Sequence, residues 1–158
     1  LQVGKLGKPN RPNTAFVQTR LSPDEQYTHV TLWCLLSAPL IISCDLENID
    51  SFTMGLLTND EVIAVDQDPA AHPARRAWNQ GNFQVWTKEL ADGSTAAGFF
   101  NTGGSKEVLK VNLKDIGLSG PHQVRDLWKR ADQGTAEGDI AVELNSHGAA
   151  MFRFTKKE

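Results

Sequence analysis

Three aspartates stand where a carboxylate could act on a substrate. Asp45 closes the apolar run Leu40-Ile41-Ile42-Ser43-Cys44 and has a hydroxyl and a thiol beside it. Asp66 and Asp68 precede Pro69. Paired carboxylates could serve as acid, base or nucleophile. Short acidic side chains at such breaks more often bond local backbone amides, which is the plainer role for Asp45. Asp68 is expected to shape the turn before Pro69, and Asp66 to be structural with it. The other chemically capable residues are scattered. His29 falls on a helix as a packed or surface residue, and His147 in a turn before Gly148. Cys34 sits beside Trp33 without a partner base. With Cys44 it makes a pair too sparse for a disulfide framework, and both cysteines are expected to be ordinary buried residues. No His or Cys spacing suits zinc, so no metal ligand and no cofactor is expected. Gly103-Gly104 lacks the Lys-Ser sequel of a phosphate loop. Trp78, Trp86 and Trp128 could stack on sugars or pack a core, and packing is preferred.

The elements that must hold these residues change in kind near position 70. Gly4 to Asn13 is rich in Gly, Pro and basic residues and reads as a loop, with Leu1 to Gly4 as the tail of a strand. Ser22, Pro23 and Glu25 form a helix start with a capping box. The helix is predicted over Pro23 to Ser37, burying Tyr27, Val30, Trp33, Cys34 and Ser37 on a face widened by Leu32, Leu35 and Leu36. Pro39 stops it. Leu40 to Cys44 then reads as a strand buried on both faces of a parallel sheet. Asp50 caps a second helix to Leu57, and Asn59 or Asp60 restarts a turn that runs to Asp68. This helix–strand–helix rhythm suits an α/β barrel or a doubly wound sheet.

Beyond the linker Asp68 to Pro73, alternation of period two predicts strands at Phe83–Lys88, Thr95–Asn101, Val108–Leu113, Val124–Trp128, Ile140–Leu144 and Ala149–Phe154. Asp92-Gly93, the Thr102 to Ser105 turn and Ser146-His147-Gly148 separate them. The spacing predicts an antiparallel meander or Greek-key sandwich.

Composition sets limits on partners. With 158 residues, 40% hydrophobic, 22% charged and a formal net charge of -3, the chain lacks the basic surface that nucleic acid or an anionic membrane requires. The longest apolar stretch, Val30 to Cys44, is broken by Thr31, Ser37 and Pro39 and falls short of the roughly 18 to 20 residues of a membrane span. Because the chain begins at Leu1 rather than Met, it is expected to be a fragment.

Two runs carry a family resemblance. His29 to Leu46, with Leu32-Trp33-Cys34-Leu35-Leu36-Ser37-Ala38-Pro39 at its heart, resembles the late barrel segment of the α-galactosidase (melibiase) family of retaining glycoside hydrolases, glycoside hydrolase family 27. Leu56-Leu57-Thr58-Asn59-Asp60-Glu61-Val62-Ile63-Ala64-Val65-Asp66-Gln67-Asp68-Pro69 resembles the segment that follows, with Asp66 where the family commonly has asparagine. Val85-Trp86, Asp92-Gly93, Phe99-Phe100-Asn101, Asp126-Leu127-Trp128 and His147-Gly148 are similar to landmarks of the family's C-terminal β domain. The long Gly4 to Arg20 loop departs from the pattern. The resemblance implies that residues 1–70 are the C-terminal end of a (β/α)8 barrel and residues 71–158 an antiparallel β-sandwich. Leu1 to Gly4 would end strand seven, Pro23 to Ser37 would be helix seven, Leu40 to Cys44 strand eight, and Asp50 to Asp68 helix eight.

It also implies hydrolysis of terminal α-galactosyl linkages with retention by two aspartates on earlier strands. Neither would lie in this chain, and the family's sugar-contacting Asp-Met pair would precede Leu1. No catalytic, substrate-binding or metal residue is therefore expected here, and the fragment is expected to be inactive alone. Asp45, after strand eight, is the best-placed remaining acid, since catalytic groups of barrels sit at C-terminal strand ends. The implied partner is a galactoside or a related sugar, α-N-acetylgalactosaminides and β-L-arabinopyranosides included. A periplasmic or secreted location is favoured by the same resemblance. The alternative is a carbohydrate-binding or structural accessory sandwich. Apolar helix faces left open by a fragment would favour a homo-oligomer.

Overall fold

The structure, a computed structural model, describes residues 1–7 and 16–157. Ser22 caps the first helix, α1 (Pro23–Leu35), as expected. Its hydroxyl accepts from the Glu25 amide at 3.2 Å, and the Glu25 carboxylate accepts from the Ser22 amide at 2.7 Å. Asp50 caps α2 (Ser51–Leu57), and Asn59 caps α3 (Asp60–Asp66).

Among the described residues the strands are β1 (Lys5–Gly7), β2 (Phe16–Gln18), β3 (Arg75–Gln80), β4 (Phe83–Glu89), β5 (Thr95–Asn101), β6 (Glu107–Asn112), β7 (His122–Asp126), β8 (Ala131–Ala136), β9 (Asp139–Leu144) and β10 (Ala149–Lys156). A short 3-10 turn at Leu113–Ile116 precedes Gly117, whose φ of 88° suits a residue without Cβ. The large sheet is antiparallel, in the order β3-β4-β5-β10-β7-β8. β6 and β9 pair separately.

Alternation along β5 sorts the core into two sides. Ala97 and Phe99 face Leu109, Val111, Val142 and Leu144 of β6 and β9, where Val124, Phe152 and Phe154 complete a sandwich core. Ala96 and Phe100 face the helices, packing with Val30, Cys34, Leu35, Leu56, Val62 and Val65. Gly98 lies on the same side as Ala96. A Cβ there would stand 2.5 Å from Leu35 Cδ1, so its missing side chain is what lets α1 lie flat on the sheet. The molecule is thus layered as helices, six-stranded sheet and two-stranded sheet.

Polar contacts fix the docking. The Arg125 guanidinium forks onto Glu61 of α3 at 2.6 and 2.9 Å. Asn59 donates to the Leu127 carbonyl at 3.0 Å, and the Trp128 indole to Thr31 Oγ1 at 2.9 Å. The Ala74 amide closes the end of α1 on the Leu35 carbonyl at 2.8 Å.

Several expectations need correction. Leu40 to Cys44 is not a strand: only Cys44 makes a bridge, antiparallel, to Leu6, and Ile41 and Ile42 are exposed. A strand buried on both faces needs neighbours along both edges, and the described residues supply only the single bridge to Leu6. Leu1 to Gly4 is no strand tail either. Within the predicted loop, Lys5–Gly7 instead pairs with Phe16–Gln18, and residues 8–13 lie outside the described residues. The buried stripe of α1 runs through Gln26, Val30, Thr31, Cys34 and Leu35, rotated from the predicted one, so that Tyr27 and Trp33 flank it half-buried. β3 and β8 went unpredicted. Both are edge strands whose polar sequences, Arg-Arg-Ala-Trp-Asn-Gln and Ala-Asp-Gln-Gly-Thr-Ala, show no apolar alternation because one flank meets water. No helix among the described residues is long and apolar enough to cross a membrane.

Phe99 is fully buried, and its ring meets those of Phe152 and Phe154. Phe99→Ala is expected to lower unfolding free energy by about 3–5 kcal/mol. Urea denaturation checks it, and a loss under about 1 kcal/mol would mean that the sandwich core packs otherwise.

Candidate functional site

The acids singled out by sequence are held by backbone. Asp45 is buried, and its Oδ1 accepts from the amides of Glu47 and Asn48 at 3.1 and 3.3 Å, while Oδ2 accepts from Asn48 Nδ2 at 3.1 Å. Its own amide donates to Lys5 O at 2.8 Å. A carboxylate so occupied organises the turn after Cys44. Asp68 also serves structure. It accepts from the Ala70 amide at 3.1 Å and from the Ala91 amide at 3.0 and 3.2 Å, pinning the β4–β5 hairpin to the end of α3.

Asp66 has a different environment. Its Oδ1 is buried without a hydrogen-bond partner among the described residues. Burial raises its pKa, with Lys88 pulling the other way. Lys88, from the helix-facing side of β4, is almost fully buried. Its ammonium donates to Ser37 Oγ at 2.6 Å and to the Val65 carbonyl. One cation therefore meets the C-terminal ends of both α1 and α3, where helix dipoles favour positive charge. Burial lowers the Lys88 pKa, against the pull of Asp68, Asp66 and Cys34. Burial, reinforced by Asp66, pushes the Cys34 thiol up to about 12, so it is no nucleophile at neutral pH. Sequence spacing gave no hint of this cluster, because its members come from three elements.

A cleft of about 400 Å³ opens between α1 and strands β4 and β5. Leu32, Trp33, Trp86 and Phe100 give it an apolar floor, with His29 and His147 at the rim. The His29 ring lies tilted against that of Trp33, centroids 4.3 Å apart, and its Nε2 accepts from the Gln2 amide at 3.2 Å. Burial lowers its pKa and favours the neutral ring. His147 sits at a positive φ of 53° in the predicted turn, and its carbonyl accepts from Thr28 Oγ1. Glu25, the carboxylate in the cleft, is committed to the capping box. The cleft can cover an apolar surface but offers no acid–base pair.

The remaining candidates are placed structurally. Trp78 packs on the sandwich core, while Trp86 and Trp128 pack on the helix-facing core. Gly103 donates its amide to Asn101 Oδ1 at 2.8 Å, and a Cβ there would meet Asn82. Cys44 is half-buried and, like Cys34, a free thiol. Among the described residues no group of three or more His, Cys, Asp or Glu could hold a metal ion.

Residues 2–68 match the family described as α-galactosidase A, and residues 80–154 match the α-galactosidase C-terminal β-sandwich domain. The α-galactosidase of Cyamopsis tetragonoloba is 32% identical over 139 residues, 87% of this chain and 34% of that protein. A β-L-arabinopyranosidase of glycoside hydrolase family 27 from Geobacillus stearothermophilus superposes with a TM-score of 0.89 at 32% identity, covering 99% of this chain and 36% of that one. α-Galactosidase I from Mortierella vinacea gives 0.83 at 31% identity, over 87% of this chain and 36% of that one.

Helices from the end of a barrel seated on an antiparallel sandwich define the class, a C-terminal segment of the glycoside hydrolase kind. Within it, the chain belongs to the α-galactosidase (melibiase) family, glycoside hydrolase family 27, and corresponds to the C-terminal part of its members. It spans about a third of the length of the curated relatives it matches.

Burial holds the Asp66 pKa above its ordinary value, so stability depends on pH. Below its unfolded pKa both states carry the proton, and as pH rises the unfolded carboxyl ionises first, so stability falls until the folded group ionises too. Asp66→Asn is expected to unfold at higher denaturant than the parent at pH 7, with the gap closing under acid. Chevron-independent equilibrium melts at several pH values measure this. A variant less stable at pH 7 would mean that the Lys88 attraction outweighs burial.

Proposed function

We propose that this chain is the C-terminal part of an enzyme that hydrolyses terminal α-galactosyl linkages with retention of configuration. Residues 1–70 supply the end of its catalytic barrel and residues 71–158 a sandwich that supports it. The retaining reaction needs two carboxyl groups about 5–5.5 Å apart, one attacking the anomeric carbon and one protonating the leaving oxygen. On this reading both come from earlier strands, outside the chain, and no residue here is catalytic or binds substrate or metal. The observation that carries it is the commitment of Asp45, the acid best placed by sequence, to amides of its own turn.

The sugar class rests on relatives named α-galactosidase. A solved relative named β-L-arabinopyranosidase keeps that sugar as the competing substrate. The two sugars differ at the exocyclic carbon, so a parallel assay on both aryl glycosides separates them.

Hydrolysis of p-nitrophenyl α-galactoside is expected to be undetectable with the 158-residue chain and present in a longer chain restoring the upstream barrel. Turnover by the 158-residue chain, lost in Asp45→Asn, would overturn the assignment of catalysis elsewhere.

The role of supporting a barrel has a second consequence. Phe16, Ile41, Ile42, Leu46 and Met54 are exposed, and their side chains favour removal from water. By itself the 158-residue chain is expected to self-associate, visible as a concentration-dependent sedimentation coefficient that Ile41→Lys reduces. A monomer at all concentrations would argue that this apolar surface needs no cover.

A further inference from the structure

A second cavity, also of about 400 Å³, lies where the start of β10 meets the first turns of α1. Its back wall comes from a break in strand pairing. β7 pairs with β10 only from Asp126, opposite Phe152, onward, and the Leu127 amide makes a last bond to the Met151 carbonyl at 2.9 Å. Gly148 instead turns its carbonyl the other way, to the Asn101 amide of β5. Alternation along a strand then directs the N–H and C=O of Ala149 to the side that β7 has left. Ala149 lines the cavity, and no strand of the described residues pairs with it there.

The side walls supply both kinds of contact that a sugar uses. Trp128 and Tyr27 line the cavity and meet edge to face at 4.7 Å, and the indole N–H of Trp128 is tied to Thr31 Oγ1, so the ring is held in place. Asp24 accepts from Asn145 Nδ2 with Oδ1 only, at 3.0 Å, and Glu143 meets Lys106 with Oε1, at 2.6 Å. Each therefore keeps a second oxygen for a ligand. Lys106 and Lys129 nearly balance Asp24, Asp126 and Glu143, so the cavity carries no excess positive charge to select an anion. A one-residue free edge is too short to add a peptide strand. A pyranose, with hydroxyls that donate and accept and one apolar ring face, matches an amide N–H and C=O, two carboxylate oxygens and an aromatic wall.

We propose that this cavity at the α1–β10 junction binds one neutral pyranose. The choice of sugar rests on the functional reading above, whereas the location rests on the strand break and the ring positions.

The test is a titration of the 15N-labelled 158-residue chain with methyl α-D-galactopyranoside, with methyl β-L-arabinopyranoside and inorganic phosphate in parallel. Chemical shifts are expected to move at the Ala149 amide and the Trp128 indole N–H. Trp128→Ala risks unfolding because Thr31 would lose its partner. Glu143→Ala is the better variant, since that side chain is 64% exposed. It is expected to weaken binding about tenfold, the order for losing a hydrogen bond to a charged group. No shift at the sugar's solubility limit, shifts confined to other residues, a response to phosphate alone, or unchanged affinity in Glu143→Ala would each overturn the proposal. Hydrolysis by the longer chain reports on the functional reading separately. A longer chain that cleaves α-galactosides while this cavity stays silent would leave that reading standing and remove this site.

Discussion

Three helices of 13, 7 and 7 residues are too short to persist in water without tertiary support. Their order depends on lying against one face of the six-stranded sheet, and that contact depends on how near α1 can approach. Gly98 sets the approach: the Leu35 methyl occupies the space where any other residue would place Cβ. Around that close contact, Val30, Cys34, Val62 and Val65 join Ala96, Phe100 and Met151 in one core. Apolar side chains from helices and strands thereby remove each other from water, which is the main stabilising term available to a chain of this size.

Polar groups in this seam set position more than they add stability. Lys88 reaches from β4 to the ends of α1 and α3, and the unpartnered Asp66 oxygen beside it is a cost that a neutral amide would lessen. Arg125 and Asn59 fix α3 against the turn after β7 with bonds that have one good geometry. Directional contacts of this kind choose one register among several that apolar packing alone would permit.

Several of the chain's acids serve the backbone. Asp45, Asp68 and Glu25 each satisfy amides near a turn or a helix start, where a carboxylate repairs a gap in backbone hydrogen bonding. Groups so used are lowered in energy where they stand and hold the turns and helix starts in place.

Much of the architecture was legible in local pattern. Ser22-Pro23-Glu25 and Asp50 announced two helix starts, and Asn59 or Asp60 a restarted turn, because capping is decided within four residues. Alternation named most of the inner strands of the sandwich, since Phe83–Glu89, Thr95–Asn101 and Ala149–Lys156 have to divide side chains between two faces. The runs around Leu32 to Pro39 and Leu56 to Pro69 identified the family. Edge strands β3 and β8 escaped because a flank open to water imposes no apolar pattern. Leu40 to Cys44 misled for the opposite reason: its apolar run specifies a buried strand, yet a strand forms only where neighbours supply hydrogen bonds. The Lys88–Asp66–Cys34 cluster, the close pass at Gly98 and the cavity at Ala149 were decided by tertiary structure alone, because each joins residues far apart in the chain through packing that no local spacing encodes.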